Sequence, residues 1–321
     1  MRSSEQTNIG IIGLGGVGGF LAGLLCSTYP ADSNTRIHLF ARGETYKTIK
    51  EKGLCIKSTD LDSTFTVQPY KVYDESETAP IMDYLFICVK SYSLPQIIDR
   101  IKPCIDENTI IIPYLNGVLG REYLTSQFPA PQIIDACVYI YAKIESPGVI
   151  TQSGSKGITK YIFGFPSKSS EGADAQKDRL TTILSASSEF FVYSENIERD
   201  VWGKFIRIST ASTIQTYYNI TNGQILETEQ RTNEFIGLIN EFVRVASALG
   251  INYEGDMVES GINMTKRVAP NMTCSLQRDY HSGCKSELDN LVGFIPNKAK
   301  DLGIETPIYD RMYSELAHKA I

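Results

Sequence analysis

The stretch Gly13-Leu14-Gly15-Gly16-Val17-Gly18 puts glycines at the first, third and sixth places of G-x-G-x-x-G, a spacing suited to the pyrophosphate of a dinucleotide. Each glycine has its own use. Gly13 allows a tight turn off a strand, Gly15 lets a phosphate approach bare backbone, and Gly18 lets the following helix pack close. Leu14, Gly16 and Val17 complete the backbone of the turn, and the helix N-terminus adds unpaired N–H groups and the positive end of its dipole. Glycine turns also occur for purely structural reasons. Here the series follows the apolar run Asn8–Ile12 and precedes a helical apolar face from Phe20 to Leu25, the context the dinucleotide reading requires.

Three more polar residues follow apolar strand runs, and open parallel sheets gather ligands at the carboxyl ends of their strands. Arg42 follows Thr35–Phe40, where an NAD-binding fold usually carries an acidic residue for the ribose hydroxyl. A guanidinium suits a 2′-phosphate, so NADP (NADPH) is expected over NAD; the alternative is a solvated surface arginine. Lys90 ends the run Asp83–Val89, with a solvated lysine as its alternative. Asn116 follows Asn108–Leu115 and belongs to Asn116-Gly117, a dipeptide that also marks a plain turn.

The elements that must position these groups are drawn from 321 residues, 42% hydrophobic and 21% charged, enough for two domains. A net charge of -6 argues against a nucleic-acid surface. No apolar run approaches bilayer length and the polar start Met1–Gln6 leads straight into a strand, so a cytoplasmic protein with no membrane partner is expected. The seven cysteines never fall as C-x-x-C and the three histidines are scattered, which predicts reduced thiols and no metal. A homodimer is left open.

Along the chain, residues 47–72 read as a short helix and two strands, around Leu54–Ile56 and Phe65–Val67. The β-rich text from Gln132 to Gly164, turning at Glu145–Gly148, predicts the far half of the same sheet, partly antiparallel. A polar loop from Ser167 leads to a helix near Ala175–Ser185 and a strand at Phe190–Val192. Beyond it the apolar residues recur at helical spacing through Ile197–Tyr218, Thr228–Leu249, Gly255–Val268 and Lys285–Leu302. The fold class expected is α/β, with an N-terminal Rossmann-type dinucleotide-binding domain over residues 1–196 and an all-helical domain over 197–321.

Patches along nearly the whole chain then come into line. Val201-Trp202-Gly203-Lys204, Ile220-Thr221-Asn222-Gly223, Ser275 and Ser286–Gly293 join the glycine series, Val89-Lys90, Asn116-Gly117 and Ser146–Val149, and in that order the sequence resembles the ketopantoate reductases (2-dehydropantoate 2-reductases). The resemblance implies a Rossmann domain and a helical domain with the active site in the cleft between them. It also implies reduction of 2-dehydropantoate to pantoate with NADPH. Lys204, in the family's W-x-K pattern, corresponds to the catalytic lysine, and Glu287, in E-[IL]-D, to its acidic support. Ser275, twelve residues ahead of Glu287, and Asn222, eighteen after Lys204, correspond to substrate-binding residues, while Asn116 and Lys90 correspond to cleft and cofactor-side residues.

Two family asparagines are replaced, by Ile208 four residues after Lys204 and by Met272 three before Ser275, which removes polar contacts to the substrate. The retained pair suits the chemistry. A hydride reaching a 2-oxo carbon leaves an oxyanion that a lysine ammonium can stabilise and protonate, and a carboxylate nearby favours the charged lysine. Ser275 can donate to the substrate carboxylate, and Asn116 and Asn222 can orient its oxygens. Outside the resemblance, Lys204 reads as an amphipathic helix residue and Glu287 as a first-turn acid of its own helix. The alternatives of function are a reductase of another branched 2-oxo acid on the same scaffold, and a nucleotide-binding sensor without catalysis.

Overall fold

In the computed structural model, which describes residues 6–154, 156–165 and 173–319, the chain opens with β1 (Thr7–Ile12), α1 (Gly16–Thr28), β2 (Thr35–Phe40) and α2 (Gly43–Lys52). It continues through β3 (Leu54–Ser58), β4 (Ser63–Val67), β5 (Lys71–Tyr73), β6 (Tyr84–Ile87), α3 (Leu94–Ile101), β7 (Ile110–Pro113) and α4 (Leu119–Gln127). Then come β8 (Asp135–Tyr139), β9 (Tyr141–Ser146), β10 (Val149–Ser153), β11 (Lys160–Gly164), α5 (Ala173–Ser187) and β12 (Phe191–Tyr193). Residues 1–5 of the polar start and most of the polar loop expected from Ser167 lie outside the described residues.

Five strands pair in parallel in the order β5-β2-β1-β6-β7. Their apolar runs are continuous because parallel strands are covered on both faces, as the fully buried β6 and β7 show. From the central β1 the chain first builds outward through β2 and then returns to β6 on the other side. The carboxyl ends of β1 and β6 therefore form the crevice at which such sheets take their ligands.

The β-rich segment from Gln132 onward does not extend this sheet, which corrects the expectation of a far half. β9 and β10 instead join β3 and β4 in a second sheet, ordered β4-β3-β10-β9, in which β10 runs parallel to β3 and antiparallel to β9. β8, β11 and β12 form a third, and an isolated bridge, Ile111–Ile133, joins β7 to the chain just ahead of β8. The reason lies in α1, which is buried continuously from Gly18 to Cys26. A helix apolar all round needs cover on more than one side. Ile150 of β10 and Ile56 of β3 supply it, seated in the notches left by Gly19 and Gly23.

The chain divides into two compact units, Met1–Leu115 with Gly120–Asp200, and Asn116–Leu119 with Val201–Ile321. The second is helical, with α6 (Ile197–Tyr218) running into it, followed by α7 (Glu229–Ala248), α8 (Met257–Arg267), α9 (Ser275–His281), a π-helical turn over Asp289–Gly293, α10 (Phe294–Leu302) and α11 (Pro307–Lys319). α3, α4, α9 and α11 were not foreseen from the sequence. Phe205, Phe235, Phe242 and Phe294 centre its core, and Val118 and Leu119 pack against it. Buried Glu241 accepts the N–H groups of Ile308 and Tyr309, so a carboxylate caps the positive end of α11. Among the described residues, no helix is long and apolar enough to cross a membrane.

His38, 1% exposed on β2, lies between the Tyr73 hydroxyl (3.2 Å) and Asn8 Oδ1 (3.1 Å). Burial first, then the charges of Arg36 and Lys71, lower its pKa from 6.5 to about 4. The unfolded chain takes up this proton near pH 6.5 and the folded chain only near 4, so the stabilisation is complete above the upper value and is lost as pH falls toward the lower. Denaturant titrations should show about 3 kcal/mol of stability lost across that window. The slope should flatten in His38→Gln, and an equal slope in both proteins would count against the histidine.

Candidate active site

In the first unit the glycine turn joins β1 to α1. Gly13 has φ +94°, and a Cβ there would stand 2.6 Å from the backbone of Cys88 and Val89 just after β6. At Gly18 a Cβ would collide with the Gly13 carbonyl oxygen and come within 2.7 Å of Cys88 Cβ. Gly16 backs onto Ala142 of β9 in the same way. Gly15 differs, since nothing stands within 4 Å of the place its Cβ would take. The turn is thus crowded on its protein side and open at Gly15, and the first N–H groups of α1, from Gly16 to Gly18, have no acceptor one turn earlier. Leu14 is buried beneath it, and the Val17 carbonyl accepts the Tyr161 hydroxyl at 2.7 Å.

Arg42 precedes α2 with an exposed side chain, its Nη1 3.9 Å from Glu75 Oε1. Such a solvated pair contributes about 0–1 kcal/mol and yields readily to a better anion. Arg100, which no motif pointed to, has its guanidinium 5.5 Å over the Phe40 ring and donates from Nη2 to the carbonyls of Tyr73 (3.1 Å) and Asp74 (2.7 Å). It braces the ends of β2 and β5 beside Arg42's loop, and burial holds its pKa below the usual arginine range. Lys90 lies three residues beyond the end of β6 and is half-buried.

In the second unit the structure brings three of the expected residues together. Lys204 on α6 and Glu287 just ahead of the π-helical turn are 6% and 4% exposed. Asn116 lies between them, its Oδ1 accepting from Lys204 Nζ at 2.8 Å and its Nδ2 donating to Glu287 Oε2 at 3.4 Å. Two buried groups that each favour water are thereby joined through one amide. The second Nδ2 proton of Asn116 has no protein partner among the described residues. Glu287 also accepts the Leu291 N–H at its carbonyl, which places it at the start of its own helix.

The elements are pinned where these side chains meet. Ser209, five residues after Lys204, donates to the Leu291 carbonyl at 2.6 Å and so sets α6 against the π-helical turn. Asn290 of that turn donates to the Asn116 carbonyl at 2.6 Å. Neither was singled out in the sequence. The signal for Asn290 was a lone amide in the apolar run Leu288–Val292, one helical turn from Glu287.

The remaining expected residues lie apart from this trio. Asn222 donates from Nδ2 to the carbonyls of Thr265 (2.7 Å) and Val268 (3.2 Å), and its backbone N–H goes to Met272, so its side chain shapes the segment leading to Ser275. Both amide protons are spent, which leaves only Oδ1 for a ligand. Ser275 opens α9 half-buried, with no hydrogen-bond partner for its hydroxyl among the described residues. The backbone N–H of its neighbour Cys274 donates to Gln215 Oε1 at 2.9 Å, which ties the segment to α6 about three turns beyond Lys204. Among the described residues no group of three or more His, Cys, Asp or Glu is placed to hold a metal ion.

Residues 9–162 match the model of ketopantoate reductase PanE/ApbA and residues 196–320 the model of its C-terminal part. The uncharacterized oxidoreductase YkpB of Bacillus subtilis (strain 168) is 28% identical over 309 residues, covering 95% of this chain and 96% of that one. A 2-dehydropantoate 2-reductase of Streptococcus pyogenes serotype M3 is 25% identical over 271 residues, covering 84% and 85%. Among solved structures, 2-dehydropantoate 2-reductase from Porphyromonas gingivalis W83 superimposes with a TM-score of 0.83 at 25% identity, over 97% of this chain and 99% of that one. The ternary structure of D-mandelate dehydrogenase with NADH and anilino(oxo)acetate shares the fold, with a TM-score of 0.83 at 20% identity over 98% of both chains.

The two ends of the glycine turn should respond oppositely to a single methyl group. Gly18→Ala should lower stability by about 1–3 kcal/mol or more, because the Cβ meets backbone that cannot move aside. Gly15→Ala, at φ −75° and ψ −165° in open space, should change it by less than about 1 kcal/mol. Thermal unfolding of both variants checks this, and equal losses would show that the turn is not divided into a packed and an open side.

Proposed function

The chain belongs to the ketopantoate reductase family, and we propose that it is an oxidoreductase using NADPH to reduce a 2-oxo acid, with 2-dehydropantoate to pantoate as the first reading. One observation carries the proposal: a buried lysine and a buried glutamate, far apart in sequence, joined through Asn116. A lysine has no packing reason to be 6% exposed, and a buried ammonium and carboxylate in a helical core are expensive unless they serve a ligand.

The residues of the first unit fit a dinucleotide. The open backbone at Gly15 and the first N–H groups of α1 suit the pyrophosphate, and Arg42 suits a 2′-phosphate. Lys90, shortly after β6, adds a positive charge at the sheet's ligand-binding edge. When bound, the nicotinamide supplies a hydride. The protein's own part is to hold the oxo acid and move a proton. Lys204 Nζ stabilises the oxyanion and gives up the proton, Glu287 favours the charged lysine beforehand, and Asn116 holds the ammonium in place while offering its remaining N–H to a ligand oxygen. Ser275, with its hydroxyl unpaired, suits the substrate carboxylate.

A second reading is favoured by Ile208 and Met272. Ile208 lies one helical turn after Lys204 and packs half-buried against the helical core, so that stretch of α6 offers hydrocarbon where the family often offers an amide. Another branched 2-oxo acid, lacking a hydroxyl to be matched there, then fits better.

In a panel of 2-oxo acids with NADPH, ketopantoate in first place supports the first reading and another branched acid the second. Tight NADPH binding without oxidation on any of them identifies a sensor. Lys204→Ala should lower turnover by about two to four orders of magnitude, as loss of a general acid does. Turnover near the wild-type level would sink the assignment. Arg42→Ala should weaken NADPH and leave NADH nearly unchanged in direct binding, whereas equal loss for both would show that Arg42 does not read the phosphate.

A further inference from the structure

We propose that Asn290 is a positioning residue: it fixes the main chain of Asn116 so that the Asn116 amide stands between Lys204 and Glu287. Asn290 is 5% exposed and lies in the π-helical turn, three residues after Glu287. Its Nδ2 donates to the Asn116 carbonyl at 2.6 Å, while its Oδ1 is buried with no hydrogen-bond partner. Leaving a buried acceptor unpaired is unfavourable, so the oxygen half of this amide works against stability. What Asn290 supplies in return is its donor, the bond to the Asn116 carbonyl.

The turn that it holds is shaped to receive it. Gly117 has φ +73°, and a Cβ on it would stand 2.7 Å from Asn290 Oδ1 and 3.1 Å from Nδ2. Glycine and asparagine are thus matched: the Asn116-Gly117 turn closes directly on the Asn290 amide. The base beneath is rigid, since Ser209 holds the Leu291 carbonyl at 2.6 Å and the Tyr313 hydroxyl holds Asp289 Oδ1 at 2.8 Å. π-helical turns of this kind recur at functional sites. Here the turn carries Asn290 to the Asn116 carbonyl and starts two residues after Glu287. From that carbonyl the Asn116 side chain is two torsions away from the atoms that meet Lys204 and Glu287. A displacement of about 1 Å at the main chain would pull Oδ1 off the ammonium, and misplacements of that size reduce turnover by roughly 100-fold.

The kinetic part of the test rests on the reductase reading, and the labelling part does not. Asn290→Leu relieves the unpaired oxygen but leaves the Asn116 carbonyl without its donor, so the variant should fold with an unfolding midpoint close to that of the wild type and bind NADPH unchanged. Its kcat should fall by about ten- to hundredfold with KM for NADPH unaltered. In an Asn116→Ala background the same substitution should cost less than about twofold more, because the side chain it positions is already gone. Mass spectrometry after treatment with an amine-reactive acylating reagent should show Lys204 labelled roughly tenfold faster in Asn290→Leu, with exposed Lys47 unchanged. Wild-type kcat in the single variant, a full multiplicative loss in the double variant, or unchanged Lys204 labelling would each overturn the proposal. Should Asn290→Leu fail to fold, Asn290→Ala carries the same comparisons with a smaller side chain. A wild-type protein that reduces no 2-oxo acid ends the reductase reading, and the Lys204 labelling then decides the role of Asn290.

Discussion

An ammonium and a carboxylate withdrawn from water each lose strong hydration, and in the helical unit the Asn116 amide answers both. Its oxygen can only accept and its nitrogen only donate, so the amide suits a lysine on one side and a glutamate on the other and no other arrangement of the two. The neighbouring structure serves this contact. Ser209 sets the register of α6, Glu287 leads into the π-helical turn, and Asn116 leaves the strand text of the first unit to belong with the helices. Four residues, Asn116–Leu119, are counted with a helical unit whose other residues begin at Val201, and Val118 and Leu119 anchor them in its core.

The first unit is governed by a different constraint, the lack of room around α1. Its glycines serve opposite purposes at its two ends. Gly13, Gly16 and Gly18 admit the backbone of β9 and of the segment after β6, and Gly19 and Gly23 admit Ile150 and Ile56 from the second sheet. Only Gly15 faces open space. A motif usually explained by its ligand is thus, at most of its positions, explained by packing, and the ligand's claim concentrates on one residue.

This division accounts for what could be read in the sequence. The alternation of buried strand runs and helical faces located β1, α1, β2, β6, β7 and α6, because each is long or apolar enough for periodicity to speak. The second sheet was misplaced because strand text carries no record of which edge it joins. β10 finds β3 through the apolar cover that α1 needs, a contact between segments nearly one hundred residues apart. Lys204 and Glu287 were singled out through the family resemblance alone and Asn116 also by its place after a strand run, and no spacing rule links residues 116, 204 and 287. Asn290 and Ser209 were not legible, because their work is done on backbone carbonyls that any residue could supply. Arg100 escaped for the same reason.

On the proposed reading, the groups that would handle the proton and those that would recognise a particular acid are carried by different constraints, and this bears on which positions can vary. Lys204, Asn116 and Glu287 are interlocked, so changing one removes a hydrogen bond from a buried neighbour and destabilises the unit. Ile208 is under no such lock. It sits one turn along the same helix, half-buried, where an amide or a hydrocarbon can be accommodated with little effect on the trio. Ser275 is likewise separate, on a segment tied to α6 through Cys274 and Gln215 and shaped by Asn222. On the proposed reading, substitution is therefore cheapest where the acid's side chain would be read and dearest where the proton would be held. Ile208 and Met272, where the resemblance leads one to expect asparagines, then fall outside the interlocked trio, in the part that the fold leaves free to change.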